Sequence, residues 1–339
     1  MRITICGGGN LGHVCAGFFG AQDDMHVSML TTHPEQWSQY LDVVDANGKT
    51  LRGKLDIISS DPKIVIPNAD IVLVCLPGFA IHDTLTKIES ALDVKTWVGT
   101  VVSSTGFFFE AMKILPKNQP LFGFQRVPFI SRVITYGHTA ELKGYKESLS
   151  VAVEQTDQKE IIRSKLEQLF KTPVKLLKSY YEVSLSNSNP LLHTARLYTM
   201  FKDWEAGMSY KRNPGFYSEW TIEASELYIS MDNEFQLLLD KIGVNKGSIP
   251  PVLKYYESKD AESLTQKIKS IQAFQGINSP MKRNQQGLYV PDFTSRYFTE
   301  DYSYGMRFIV ETANKYNTPL TYIAKVYSWG MEKLERSER

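Results

Sequence analysis

The chain has 339 residues, 42% hydrophobic and 22% charged, a globular balance long enough for two domains of roughly 100–200 residues each. A formal net charge of +1 argues against a nucleic-acid binder that works through a broad basic surface. No apolar run approaches the ~20 residues of a membrane helix, and the first residues enter a strand-like run without a charged leader. A cytoplasmic protein with neither membrane nor nucleic acid as partner is therefore expected.

In chain order, 3–6 (ITIC) reads as a strand, followed by a helical pattern from Asn10 to about Gly20. Further strands are expected at 26–30 (HVSML), 71–77 (IVLVCLP), 97–104 (WVGTVVSS) and 148–154 (SLSVAVE). The continuous Ile/Val/Leu run at 71–77 is typical of a parallel strand buried on both faces. Helical stretches at 79–92 and 159–170 fall between, and this alternation predicts a doubly wound parallel sheet of the Rossmann type. From about Tyr181 strands give way to helices. One is expected at 218–243, ending at a glycine, and the last apolar stretch breaks at Asn317-Thr318-Pro319 into two. The run 278–291 reads as loop. The expected organisation is α/β then all-α, with a dinucleotide-binding domain over 1–180 and an all-helical substrate and catalytic domain over 181–339. Cys6, Cys15 and Cys75 lie far apart in apolar surroundings, which predicts buried thiols rather than disulfides, and no metal site.

Gly7-Gly8-Gly9-Asn10-Leu11-Gly12 satisfies G-x-G-x-x-G between a strand and a helix, where a dinucleotide fingerprint belongs. The first glycine permits the tight turn, the second lets backbone approach a pyrophosphate, and the third lets helix and strand pack closely. The helix N-terminus then offers free N–H groups to the phosphates. An NAD enzyme commonly places an acid at the end of the second strand, about 20 residues on. Here that position reads Thr31-Thr32-His33, which favours NADP, with NAD the alternative and Arg52 a candidate to reach in from a hairpin. Leu76, Pro77 and Thr105 follow later strands and are expected on the nicotinamide side.

Hydride transfer to a carbonyl or imine needs a proton handler, and histidine suits neutral pH. Of six histidines, His193 stands out: Asn189-Pro190 opens a helix and puts His193 one turn inside, on the face of Asn189. On spacing alone, a half-buried histidine with a satisfied hydrogen bond is the favoured reading.

Two further segments carry a resemblance. Asn189-Pro190-Leu191-Leu192-His193 is similar to the Asn-x-x-x-His motif of the NAD/NADP octopine/nopaline (opine) dehydrogenase family. Arg296-Tyr297-Phe298-Thr299-Glu300-Asp301, with Gly305 after it, resembles that family's Arg-Tyr-x-x-Glu-Asp-x-x-x-Gly. The resemblance spans essentially the whole chain. It implies a Rossmann domain joined to a helical opine-dehydrogenase domain, and reductive condensation of an amino acid with a 2-oxo acid. It also implies His193 as acid/base with Asp301 as its partner, and Asn189 and Arg296 at the substrate. Ketopantoate reductases and glycerol-3-phosphate dehydrogenases share the layout but use a lysine as acid, and 184–196 contains none. The segment 124–132 departs from the family pattern: Pro128, Phe129 and Arg132 fit, the family's acid is missing near Phe124, and Arg126 is unexpected. Arg126 and Arg132 are candidates to clamp substrate carboxylates, or else to form surface ion pairs.

The aromatics Tyr180, Tyr181, Tyr198, Trp204, Tyr210, Phe216, Tyr217 and Trp220 read mostly as core, with some walling a side-chain pocket. The function expected is an NAD(P)-dependent opine dehydrogenase. Alternatives are an NADP-dependent reductase of a simple 2-oxo or hydroxy acid and a non-catalytic dinucleotide-binding protein. The helical half offers surface for a homodimer, which no feature demands.

Overall fold

The computed structural model describes residues 1–337 and divides into two compact units, Met1–Ser186 and the residues from Asn187 onward. The first unit contains twelve strands: β1 (Arg2–Cys6), β2 (His26–Leu30), β3 (Tyr40–Asp45), β4 (Thr50–Lys54), β5 (Ile57–Ser59), β6 (Ile71–Val74), β7 (Trp97–Thr100), β8 (Leu121–Phe124), β9 (Phe129–Thr135), β10 (Thr139–Tyr145), β11 (Leu149–Glu154) and β12 (Val174–Leu176). Its helices are α1 (Asn10–Gly20), α2 (Pro62–Val65), α3 (Gly78–Glu89), α4 (Phe107–Ile114), α5 (Lys159–Phe170) and α6 (Tyr180–Ser184).

Eight strands form the main sheet in the order β12-β11-β8-β7-β6-β1-β2-β5. From β8 to β5 the pairing is parallel, as the Ile/Val/Leu runs predict, and β6 is buried at every residue. At β8–β11 the direction reverses, so the sheet is mixed rather than wholly parallel. Parallel neighbours need a crossover, usually a helix, and here the chain leaves β8 into a hairpin instead. Helix α5 then supplies a crossover, and β11 and β12 pair in parallel.

That hairpin belongs to a second sheet, β4-β3-β10-β9, which sequence reading did not anticipate. Its strands are buried only at alternate positions, with Leu41, Val43, Ala140 and Leu142 inward. Those side chains pack against α1, which is covered by one sheet on each side and is buried continuously from Gly12 to Phe19. In register, Cys6 pairs with both Leu30 and Val74, so the carboxyl ends of β1, β2 and β6 finish level. The glycine loop, Thr31 and the 75–77 turn consequently stand together. Cys6, Cys15 and Cys75 are free and buried.

The second unit contains α7 (Asn189–Phe201), α8 (Ile222–Lys241), α9 (Val252–Tyr255), α10 (Ala261–Ser270), α11 (Arg296–Thr299), α12 (Arg307–Lys315) and α13 (Tyr322–Ser337). Helix α8 starts later than the periodicity suggests because Thr221 Oγ1 caps it, accepting from the Ala224 N–H at 3.2 Å. The unit is not purely helical. Two strands, β13 (Met281–Arg283) and β14 (Tyr289–Pro291), form an antiparallel hairpin inside the run read as loop. A π-helical turn, Asp301–Met306, joins α11 to α12. No helix among the described residues is long and apolar enough to cross a membrane.

Glu234 on α8 fixes the start of α13 by accepting from the N–H groups of Thr321, Tyr322 and Ile323 at 2.7, 2.9 and 3.0 Å. A carboxylate there satisfies amides that a helix start leaves unpaired. Glu234→Ala is expected to lower the unfolding free energy by about 1–2 kcal/mol, read from the urea midpoint.

Candidate active site

Two of the three glycines of the fingerprint meet a steric demand from the chain itself, and the third faces open space. Gly7 has φ +115°, and a Cβ there would lie 2.7 Å from the Cys75 carbonyl oxygen. Gly12 packs so closely on the Gly7 carbonyl that any Cβ would overlap it. Gly9 precedes α1, and a Cβ on it would meet no atom within 4 Å. The first turn of α1 carries no acidic residue and no side-chain cap, so its N–H groups point into that open face. This geometry fits a dinucleotide pyrophosphate.

Beside the loop lies a cavity of about 240 Å³ whose walls include Gly8, Thr31, Thr32, Leu76, Lys87 and Tyr136. Pro77 and Thr105 stand outside its lining. Pro77 precedes α3, and the Thr105 hydroxyl donates to the Val102 carbonyl at 3.0 Å. Asn10 Oδ1 accepts from the Val133 N–H at 2.8 Å, and Leu11 packs on the core, so both side chains serve the fold. Arg52 does lie in a hairpin, but it sits 3.6 Å from Asp42 and over the Tyr40 ring.

Sequence reading missed Tyr136. It arrives from the turn between β9 and β10, and its hydroxyl lies 3.4 Å from Thr31 Oγ1. His13 pins that turn: its Nε2 accepts from the Gly137 N–H at 2.7 Å, which leaves Nδ1–H to donate to the Gly9 carbonyl at 3.0 Å. Burial holds this imidazole below its ordinary pKa, which keeps it neutral as that bonding pattern requires.

In the second unit, His193 lies one turn into α7 and is 8% exposed. Its Nδ1 lies 2.7 Å from Asp301 Oδ2. A carboxylate only accepts, so Nδ1 carries the proton and Nε2 is the nitrogen left to exchange one. Asp301 opens the π-helical turn, and Gly305 makes its approach possible. A Cβ on Gly305 would sit 2.8 Å from Pro190 Cβ, at the start of the helix that carries His193.

The residue that spacing could not reveal is Tyr217. Its hydroxyl lies 2.7 Å from His193 Nε2. Burial, then the neighbouring Tyr297, Tyr256 and Asp301, push this phenol well above its ordinary range, so it stays an O–H donor. Tyr297 and Phe216 pack against the imidazole with centroids at 4.8 and 5.8 Å. Arg196 holds the loop that carries Tyr217, donating from Nε to the Phe216 carbonyl at 3.2 Å and from Nη2 to the Glu219 carbonyl at 2.7 Å. Burial pushes this guanidinium down to about 10. Glu219 in turn takes a two-pronged contact from Arg212 at 2.7 and 2.6 Å and the Gly215 N–H at 2.8 Å.

The remaining candidates are exposed. Arg126 Nη2 donates to the Ser186 carbonyl at 3.2 Å, and Arg132 lies opposite Glu141 on β9. Asn189 and Arg296 open α7 and α11.

The family description "NAD/NADP octopine/nopaline dehydrogenase, alpha-helical domain" matches residues 176–334. The chain is 28% identical to an uncharacterized protein of Sinorhizobium fredii, covering 98% of this chain and 94% of that one. It is 27% identical to tauropine dehydrogenase of Arabella iricolor, covering 97% and 90%. A solved structure of octopine dehydrogenase with NADH and L-arginine has a TM-score of 0.85 at 24% identity, covering 99% of this chain and 90% of that one. The named relatives are dehydrogenases, and each of these likenesses covers nearly the whole of this chain. Over residues 176–334 the chain carries the alpha-helical domain described for NAD/NADP octopine/nopaline dehydrogenases.

Two expected outcomes follow from the packing around His193. Gly305→Ala should force the π-helical turn off Pro190, displace Asp301 and lower kcat by about 10²-fold, with the fold retained in a thermal melt. Glu219 is held down to about 2 from 4.5, first by Arg212, so its stabilising contribution is complete above pH 4.5 and is lost as pH falls toward 2. Its side chain is 39% exposed and solvent screens the pair, so the effect is modest. In urea titrations across that window, Glu219→Gln should lose stability with a shallower slope than the unaltered chain.

Proposed function

We propose that this protein reductively joins the amino group of an amino acid to a 2-oxo acid, with His193 as the acid/base and Asp301 as its partner. The observation that carries the reading is the 2.7 Å bond between His193 Nδ1 and Asp301 Oδ2. Two positions separated by 108 residues, which the family motifs select, meet in one buried pair.

When bound, the reduced dinucleotide supplies the hydride. The cradle of Gly7, Gly8, Gly9 and Gly12 would hold its pyrophosphate, with Thr31, Thr32 and Leu76 on the adjoining wall. Lys87, whose Nζ donates to the Ser60 carbonyl at 2.9 Å, and Asp83 both line the same cavity and offset one another in charge. The hydroxyls of Thr31 and Thr32, standing where an NAD enzyme commonly carries an acid, favour NADP over NAD. Asp301 fixes the tautomer and the orientation of the His193 ring. His193 can then give a proton while the carbon–nitrogen double bond is reduced, and take one back in the opposite direction. The exposed guanidinium groups of Arg126, Arg132 and Arg296 would bind the carboxylates of the two substrates, and Asn189 would orient them. That the octopine dehydrogenase structure holds L-arginine supports an amino acid as the amine partner.

The test is a matrix of 2-oxo acids against amino acids, followed by nicotinamide absorbance with NADPH and with NADH. Turnover should require the amine together with the oxo acid and should be faster with NADPH. His193→Asn should lower kcat by about 10²–10⁴-fold. Oxidation of the cofactor by an oxo acid alone would instead make the protein a simple 2-oxo acid reductase, and unchanged turnover in His193→Asn would overturn the assignment of the pair.

A further inference from the structure

We infer that the Tyr217 hydroxyl is the group through which His193 exchanges its proton with substrate, making the working unit Asp301–His193–Tyr217. The inference rests on His193 being the acid/base of the proposed reaction. With Nδ1–H given to Asp301, the only ring nitrogen able to exchange a proton is Nε2, and Tyr217 stands on it at 2.7 Å. In the neutral imidazole the Tyr217 O–H donates to Nε2. In the imidazolium Nε2–H donates to the Tyr217 oxygen, which frees the phenolic hydrogen for another acceptor, with the Tyr297 hydroxyl as its protein neighbour.

Tyr217 is not free to step aside. Its ring stacks on Phe274 at 4.1 Å and 17° and lies within 9° of parallel to Trp220. Its carbonyl accepts from the Trp220 N–H at 3.0 Å, and Arg196 grips the carbonyls of Phe216 and Glu219 on either side. A substrate that reached Nε2 directly would have to break this packing, whereas a relay leaves it intact. The phenol also suits the task because burial keeps it protonated, so it returns each proton it passes on.

The step balances as follows. As the imine carbon accepts the hydride, the C=N π pair becomes a nitrogen lone pair and takes the Tyr217 proton. The electrons of the O–H bond take the proton from His193 Nε2–H, leaving neutral imidazole and a secondary amine. The opposite direction runs through the same atoms.

The test compares the full chain with Tyr217→Phe, His193→Asn and the double variant, using pyruvate and whichever amino acid turns over fastest with it. Tyr217→Phe should lower kcat by about 10²-fold and leave both KM values within about threefold, and the double variant should be no slower than His193→Asn alone. Tyr217→Phe removes one oxygen and keeps the stacked ring, and its melting temperature checks the fold. A second reading needs neither a variant nor substrate turnover in one. In a single-turnover reaction, the rate against deuterium fraction should be bowed, as two protons in flight require. A third needs no substrate at all: with ¹⁵N-labelled histidine, Tyr217→Phe should move the His193 Nε2 resonance downfield and leave Nδ1 in place. A kcat for Tyr217→Phe within threefold of the unaltered chain, multiplicative losses in the double variant, or a linear isotope plot would each overturn the relay. If His193→Asn retains full turnover, the relay falls together with the acid/base assignment; if only His193→Asn loses activity, the relay alone falls.

Discussion

Everything in the helical unit is arranged around one contact, the 2.7 Å bond from His193 to Asp301. Both side chains are nearly buried, at 11% and 13% exposed, and buried polar groups are costly unless their lone pairs and protons are satisfied. The far nitrogen is satisfied by Tyr217, and the loop carrying Tyr217 is satisfied by Arg196. The buried guanidinium of Arg196 finds backbone carbonyls on one side and the Trp220 ring on the other. Polar partners are thus handed outward from the imidazole until the chain of contacts reaches Glu219 and Arg212 at the surface.

The two units solve the same steric problem in different places. In the first unit the start of a helix presses against the preceding strand, and in the second a turn presses against a helix start. In each case a missing Cβ provides the room: Gly12 against the Gly7 carbonyl, and Gly305 against Pro190. Gly330 does the same for the ring of Tyr302, the residue after Asp301. The π-helical geometry of 301–306 belongs to this arrangement, since such turns recur where a side chain must be set against the helical register.

What could be read in the sequence follows from how local each signal is. Strand β6 is legible because burial on both faces leaves an unbroken apolar run, and β1 and β2 because most of their residues are apolar and buried. The second sheet is not, because β3 and β10 alternate in burial, pair across nearly a hundred residues of chain, and carry Asp42 and Glu141 among their apolar positions. The hairpin of β13 and β14 is only three residues per strand, too short to leave a period. At the site, the glycine loop declares itself through strand-turn-helix context. His193 and Asp301 were selected by family resemblance, since a separation of 108 residues says nothing about contact. Tyr217 lies in an irregular loop among other aromatics and has no sequence mark that separates it from core. Tyr136 likewise comes from a turn of the sheet that was not foreseen.

The double-sided burial of α1 has a thermodynamic corollary. Asn10 is tied to β9 through Val133, and His13 is tied to the following turn through Gly137, so the start of α1 is held by the second sheet as well as by the glycine loop. A mould fixed on both flanks loses little conformational entropy when it receives its guest. A loop held in this way would discriminate among ligands by fit rather than by adapting to them.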